Sequence, residues 1–426
     1  MPTTRLSLLV LALPVATALA LSGCEGARLR IFDFRPPDFE VSVSTDPEPF
    51  AFQLSEEAAT QPTPTEPGTV ATPTARSQPQ EASSNLVREA IDACAANALH
   101  RGEIDWGQIR ARAESMSGEG KSADEVIRWV VSELRDGHSS YLSAAEAAAI
   151  AQAATEKQAS AAPSAPPSMP PHIEPSGKLL VSKSGVKLGY LRVPYLIAMD
   201  EARTTGYATT LGTLQRELVD AGAQGWVVDL RRNVGGNQWP MLAALSRILG
   251  DGAHGAIVPP GGERVTWGTS SGASWMNAPD TVVFAVEGFG APDTSRFPVA
   301  LLIDQRTASS GETIVVSFRG RDNTRSFGDR TAGKSSANTT VTLADGSLLN
   351  ITTSALYDRS GKAYGGPIAP DVAFNLPAPT RETAFPGEAG AVDSVLDAAV
   401  DWLAPVAAGA AAGAGATQGA PSDAKK

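Results

Sequence analysis

Two short apolar runs constrain this chain most. Gly225-Trp226-Val227-Val228-Asp229-Leu230 and Val299-Ala300-Leu301-Leu302-Ile303-Asp304 are continuously apolar until their last residues, not alternating. A strand that is apolar on both faces needs cover on both, as in a parallel sheet flanked by helices. Helix-like periodicity follows each run, over 237–249 and from about 310 to 319. Another strand is read at 189–196, and another helix at 209–222, ending at a glycine. This β-α-β alternation predicts a layered α/β domain over 178–404. Residues 251–297 break the rhythm with Gly-rich sequence and short apolar pieces, and are read as a β-rich insertion, a possible lid.

Residues 84–158 are predicted to be a small N-terminal helical domain. Leu86, Ile91, Cys94 and Ala98 form one stripe near the helical period. Ser122-x-x-Glu125 is a capping box, and Ser143 with Glu146 repeats the spacing. The segment 24–83 is rich in Pro, Thr, Ser and Glu, and 405–426 is of low complexity. Both are expected to be disordered, the first as a tether, because neither buries enough apolar surface to offset its ordering entropy. Residues 159–177 read as a linker. The chain opens with one arginine, an apolar run and small residues, the order of a secretory signal peptide over 1–23. Leu21-Ser22-Gly23-Cys24 resembles the lipobox of bacterial lipoproteins, which implies cleavage before Cys24 and acylation of its thiol. Cell-envelope localisation follows: the outer face of a plasma membrane, or the periplasmic side of an outer membrane in a diderm host. Cys94 is then the remaining thiol, read as a small buried apolar residue.

The formal charge is 35 − 46 = −11 with no long basic run, which argues against a nucleic-acid partner. Gly328-x-x-x-x-Gly333-Lys334-Ser335 has the letters of a phosphate-binding loop. Such a loop must open a helix, whereas the residues after Ser335 are β-branched, alternate, and turn at Ala344-Asp345-Gly346-Ser347. They read as a hairpin, so no nucleotide is expected. Gly268-x-Ser270-x-Gly272 matches the nucleophile-elbow pattern, but no helical period follows it. No His/Cys/Asp/Glu cluster has metal-ligand spacing, and no metal or cofactor is expected.

Ser309 sits where the second apolar run turns into a helix. Unpaired amides and the positive end of the helix dipole meet there, and the Ser310 N–H could donate to an oxyanion. Gly235-Gly236 occupies the corresponding turn after the first run and could supply a second donor. Three blocks, Asp229-Leu230-Arg231-x-Asn233-x-Gly235-Gly236, Thr307-Ala308-Ser309-Ser310-Gly311-Glu312 and Thr331-x-Gly333-Lys334, together resemble the C-terminal processing (tail-specific) and tricorn-core serine peptidases. The resemblance covers about 180–375 and a piece near 138. It implies a crotonase/ClpP-like α/β core and Ser309 as nucleophile.

Processing peptidases keep a lysine base at the position of Lys334. Too few residues separate Tyr141 from Gly189 for that branch's PDZ domain, however. Thr331-Ala332-Gly333 and Leu343-Ala344-Asp345-Gly346 look more like the PDZ-less nisin-resistance branch. Its base is a histidine, matched here in Asp136-Gly137-His138-Ser139. His138 and Lys334 therefore compete as general base, with His138 favoured because imidazole needs no large pKa shift. An unperturbed imidazole would lose base function below about pH 6–7. The tricorn-type supporting carboxylate is missing where Tyr364-Gly365-Gly366 precedes Pro370-Asp371. The reading is a lipid-anchored envelope serine endopeptidase that takes extended polypeptides near their C-termini. The alternatives are a non-catalytic peptide-binding lipoprotein on the same fold, or an esterase or acyltransferase using the same serine.

Acylation of Cys24 predicts that Cys24→Ser releases the chain from the membrane fraction or blocks its processing. Cell fractionation reads this, and unchanged detergent-extractable association with normal processing would refute it.

Overall fold

A computed structural model of the chain describes residues 78–149, 173–198, 200–259, 262–375 and 392–417. The expected signal peptide, Cys24, most of the tether and most of the 159–177 linker lie outside the described residues.

The N-terminal helices are α1 (Gln78–Asn97), α2 (Trp106–Gly118) and α3 (Ala123–Glu133). The first begins inside the segment expected to be tether. The capping box at Ser122 and Glu125 is formed, and Ser143 and Glu146 pair in the same way at the start of a helix over 144–149. Ile91, Cys94, Val126, Ile127 and Val130 build a core that closes against Val341, Leu349 and Ile351 of the β-layer. Burial pushes the Cys94 thiol up to about 12, as befits a packing residue.

The central sheet comprises β2 (Ser176–Val181), β3 (Lys187–Arg192), β4 (Trp226–Asp229), β9 (Val299–Ile303), β10 (Thr324–Gly328) and β13 (Val372–Ala373). Their order is β13-β10-β9-β4-β3-β2, parallel except for β2. The two apolar runs are neighbours at its centre, Val227 beside Ala300. Successive side chains point to opposite faces. Trp226, Val228, Val299, Leu301 and Ile303 pack with α4 (Glu201–Asp220), α5 (Gln238–Leu249) and α6 (Ser310–Phe318). Val227, Ala300 and Leu302 face α7 (Ser394–Thr417).

Two expectations are corrected by this packing. The α4 helix starts at Glu201, not 209: the Asp200 side chain caps it by accepting from the Arg203 N–H, and Thr204 and Tyr207 are buried. The tail from 405 is not disordered at its start, because α7 continues through Pro405 to Thr417. Val395, Ala399, Leu403 and Ala407 repeat every four residues and are all buried on the sheet. Alanine is the strongest helix former, so low complexity here means helix. This is the one described helix long and apolar enough to cross a membrane, and its buried stripe is core-facing.

The second sheet is antiparallel: β1 (Ser140–Leu142), β5 (Gly252–Ile257), β6 (Val265–Ser270), β7 (Ala273–Met276), β8 (Val282–Ala285), β11 (Ser336–Thr342) and β12 (Leu348–Asp358). Its order is β1-β12-β5-β6-β7-β8, with β11 also on β12. The β11–β12 hairpin stands where the phosphate-loop letters would need a helix. The insertion is β-rich as expected, and Ile257, Val265 and Trp267 join the main core as an integral layer.

A buried ionic cluster pins α7 to the sheet. Arg231 binds Asp229 at 2.6 Å and Asp393, just ahead of α7, at 2.8 Å. The Tyr190 hydroxyl donates to Asp229. Removing one member of such a cluster leaves buried charge uncompensated. Arg231→Ala should therefore cost about 3–5 kcal/mol of stability. Urea unfolding measures this, and a loss under about 1 kcal/mol would contradict a structural role.

Candidate active site

Strand β9 delivers the chain into a turn at 304–308 and then into α6. Asp304 organises that turn by accepting from the N–H groups of Arg232 and Arg306. The Thr307 hydroxyl ties it to the end of β4 by donating to the Leu230 carbonyl. Ser309 is left at φ 51° and ψ −119°, a left-handed conformation unusual for a residue with a Cβ. Such strain, at a strand-turn-helix junction, exposes the hydroxyl at the tip of a sharp bend. The elbow-like geometry thus lies at Ser309, while Ser270 ends β6.

His138 reaches Ser309 from the other sheet. It follows α3 and precedes β1, whose pairing with β12 fixes its approach. Asp136 accepts from the backbone N–H groups of His138 and Ser139 and from the Ser139 hydroxyl, shaping the turn. The ring then lies between two hydroxyls: Nε2 is 3.2 Å from Ser309 Oγ, and Nδ1 is 2.8 Å from Ser336 Oγ. Burial, reinforced by the positive charge of Lys334 and partly offset by Asp136, pushes the His138 pKa down to about 4. The ring is thus neutral at physiological pH, and over a wider range than an unperturbed imidazole.

Lys334 is half-buried, and its N–H donates to Glu312 at 2.7 Å. Among the described residues its ammonium makes no hydrogen bond or ion pair. The structure therefore brings Ser309 and His138 into contact and leaves Lys334 as a nearby charge.

Of the oxyanion candidates, Ser310 is the first residue of α6 and has no intrahelical acceptor for its N–H. Gly235 and Gly236 have φ of 104° and 105°. A Cβ on Gly235 would come within 2.9 Å of both Ser309 Cβ and Ser310 N, so only glycine allows this approach. The Gly235 N–H is occupied, however: it donates to Asn233 Oδ1 at 2.9 Å. Asn233 folds back on its own turn and removes that donor. The Gly236 N–H has no acceptor among the described residues, so of the two glycines it is the one left able to donate.

The sequence blocks include Glu312 with no role assigned to it, and Ser336 is not among the residues they single out. Glu312 is fully buried and accepts four hydrogen bonds, from the N–H groups of Ser309, Gly333 and Lys334 and from the Thr331 hydroxyl. Burial raises its pKa while those bonds hold it back. The Ser309-x-x-Glu312 spacing, a capping-box pattern, was the available signal. Ser336 carried none, since its partner is 198 residues away in sequence. His254 is buried against Thr269 and Arg359, away from Ser309. Among the described residues no group of three or more His, Cys, Asp or Glu side chains is arranged to hold a metal ion.

Parts of this chain are similar to known proteins. The nisin-resistance protein of Lactococcus lactis is 34% identical over 182 residues, 41% of this chain and 53% of that protein. A carboxy-terminal-processing protease of Bartonella bacilliformis is 25% identical over 195 residues, 46% of this chain and 40% of that one. The chain thus spans about half the length of the curated relatives it matches. The solved structure of a lipoprotein from Streptococcus agalactiae superposes with a TM-score of 0.51 at 26% identity, covering 69% of this chain and 93% of that one. The parallel strands, the α6 turn and the β11–β12 hairpin fall inside residues 187–374, which match the family described as peptidase family S41.

Proposed function

We propose that this chain is a serine endopeptidase of the cell envelope that cleaves extended polypeptides through an acyl-enzyme on Ser309. The observation that carries the reading is the 3.2 Å contact between Ser309 Oγ and His138 Nε2 at a strained helix N-terminus. An apolar cavity opens beside Ser309 and Ser310, lined by Trp239, Ile257, Val265, Trp267, Met276 and Leu356. It suits one apolar substrate side chain. Cleavage near C-termini is supported by the Bartonella relative, whose name carries that activity. Lipid anchoring through Cys24 is supported by the lipobox and by the similarity to a streptococcal lipoprotein.

In this mechanism Ser309 Oγ bonds to the scissile carbonyl carbon while its proton passes to His138 Nε2. The N–H groups of Ser310 and Gly236 hold the oxyanion. Collapse expels the amine, which takes the proton from His138 and leaves an ester on Ser309. Water then attacks the ester, His138 accepts its proton, and Ser309 leaves with that proton. Lys334 acts by charge: it disfavours the imidazolium and keeps the base free at low pH.

Ser309→Ala should abolish cleavage of an unstructured reporter polypeptide, read by mass spectrometry, with the fold intact by circular dichroism. His138→Ala should cost about 10²–10⁴-fold in kcat/KM. The wild-type acid limb should lie near pH 4, where His138 protonates. Lys334→Met removes a charge that depresses that pKa, so its limb should move upward and activity between about pH 4 and 6 should fall. Loss of activity in Lys334→Met at every pH would instead make Lys334 the base.

Glu312→Gln replaces one acceptor oxygen with a donor facing other donors. It should cost about 1–3 kcal/mol of stability. It should also slow reaction of Ser309 with a fluorophosphonate probe. Unchanged unfolding and labelling would show that the four hydrogen bonds to Glu312 do not hold the turn.

A further inference from the structure

A histidine base needs its accepting nitrogen free, so the other nitrogen must carry the proton and give it to an acceptor. Serine hydrolases commonly use a carboxylate there. Among the described residues no carboxylate is hydrogen-bonded to this ring. Asp136 is close enough to act on His138 through its charge, but its hydrogen bonds go to the N–H groups of His138 and Ser139 and to the Ser139 hydroxyl. Glu312 accepts four bonds elsewhere. Residues 364–366, where the family resemblance left the carboxylate missing, supply a backbone carbonyl instead: Gly366 O accepts from the Ser335 hydroxyl at 2.7 Å.

That last bond sets up the answer. Ser335 is buried against Gly366, and the next residue on a strand points to the opposite face. Ser336 therefore turns toward His138, with Oγ 2.8 Å from Nδ1. Asn338 reaches the same residue, donating from Nδ2 to the His138 carbonyl at 3.3 Å. The start of β11 thus holds both the ring and the backbone of His138. A register shift between Ala337 and Asn338 lies within this contact.

We infer that Ser336 is the positioning residue of the general base: its hydroxyl accepts the Nδ1–H of His138 and keeps the Nε2 lone pair aimed at Ser309. The inference rests on the peptidase reading and names a residue outside it. The two hydroxyls flanking the ring are not equivalent. Ser309 sits at a helix N-terminus beside free N–H donors, whereas Ser336 opens a strand. A neutral hydroxyl also fixes the tautomer without adding charge to stabilise the imidazolium, which agrees with a base held at low pKa.

The test uses the full-length chain in detergent, with Ser336→Ala and Ser336→Thr variants, a fluorophosphonate probe, and ¹⁵N-histidine NMR. The wild type should label at Ser309 and show the Nδ1–H tautomer for His138 near neutral pH. Ser336→Ala should label about 10–100-fold more slowly, short of the full general-base loss of about 10²–10⁴-fold. Its acid limb should move to lower pH, because the imidazolium loses an acceptor, and Nε2–H should appear in the spectrum. Ser336→Thr keeps the hydroxyl and should restore rate, limb and tautomer. Wild-type labelling at all pH in Ser336→Ala, or an unchanged Nδ1–H tautomer, would overturn the role of Ser336. A wild type that never labels would overturn the peptidase reading, and the tautomer would then decide Ser336 on its own.

Discussion

The buried carboxylate of Glu312 is the interaction on which the site depends. It lies in the first turn of α6, where unpaired N–H groups and the helix dipole favour a negative group. One oxygen accepts from the N–H groups of Ser309 and Lys334, the other from the Thr331 hydroxyl and the Gly333 N–H. The strained Ser309 turn and the 331–334 loop are thereby held by one group. The loop leads directly into β11, so the same carboxylate sets where that strand begins and where Ser336 stands relative to His138. A positive φ at Ser309 persists because the surrounding bonds over-determine it.

The proposed nucleophile and its histidine come from different hydrophobic cores. Ser309 is carried by the core beneath the parallel sheet, through Val299, Leu301, Ile314 and Val315. His138 is carried by the helical region, whose core includes Val126, Ile127, Leu349 and Ile351. The β11–β12 hairpin belongs to both: Ala337 and Leu356 pack into the first, Val341 and Leu349 into the second. The 3.2 Å contact is therefore a product of how two cores share one hairpin. Interiors are close-packed, so a shift in either core carries through to the contact. On the far side of the parallel sheet, the Asp229–Arg231–Asp393 cluster anchors α7 near the ends of the same strands.

Local sequence determined the parallel sheet, the helices after its two central strands, the hairpin after Ser335 and the residue types at the Ser309 turn. Each follows from periodicity, capping or turn chemistry within some twenty residues. Leu343–Gly346 turns the hairpin because Asp345 and Gly346 suit a tight turn, and that argued against a phosphate loop without reference to the rest of the chain. Tertiary structure decided what local pattern leaves open. Burial extended α4 back to Glu201 and gave the alanine-rich tail a sheet to pack on. Asn233 occupied the Gly235 N–H and left Gly236. The contrast between His138 and Lys334 also required the fold, since both match known bases by motif. Which one touches Ser309, and that Ser336 touches His138, depend on residues 171 and 198 positions apart in sequence. Such contacts are fixed by the packing of layers, whereas a strand or a cap is fixed by neighbours along the chain.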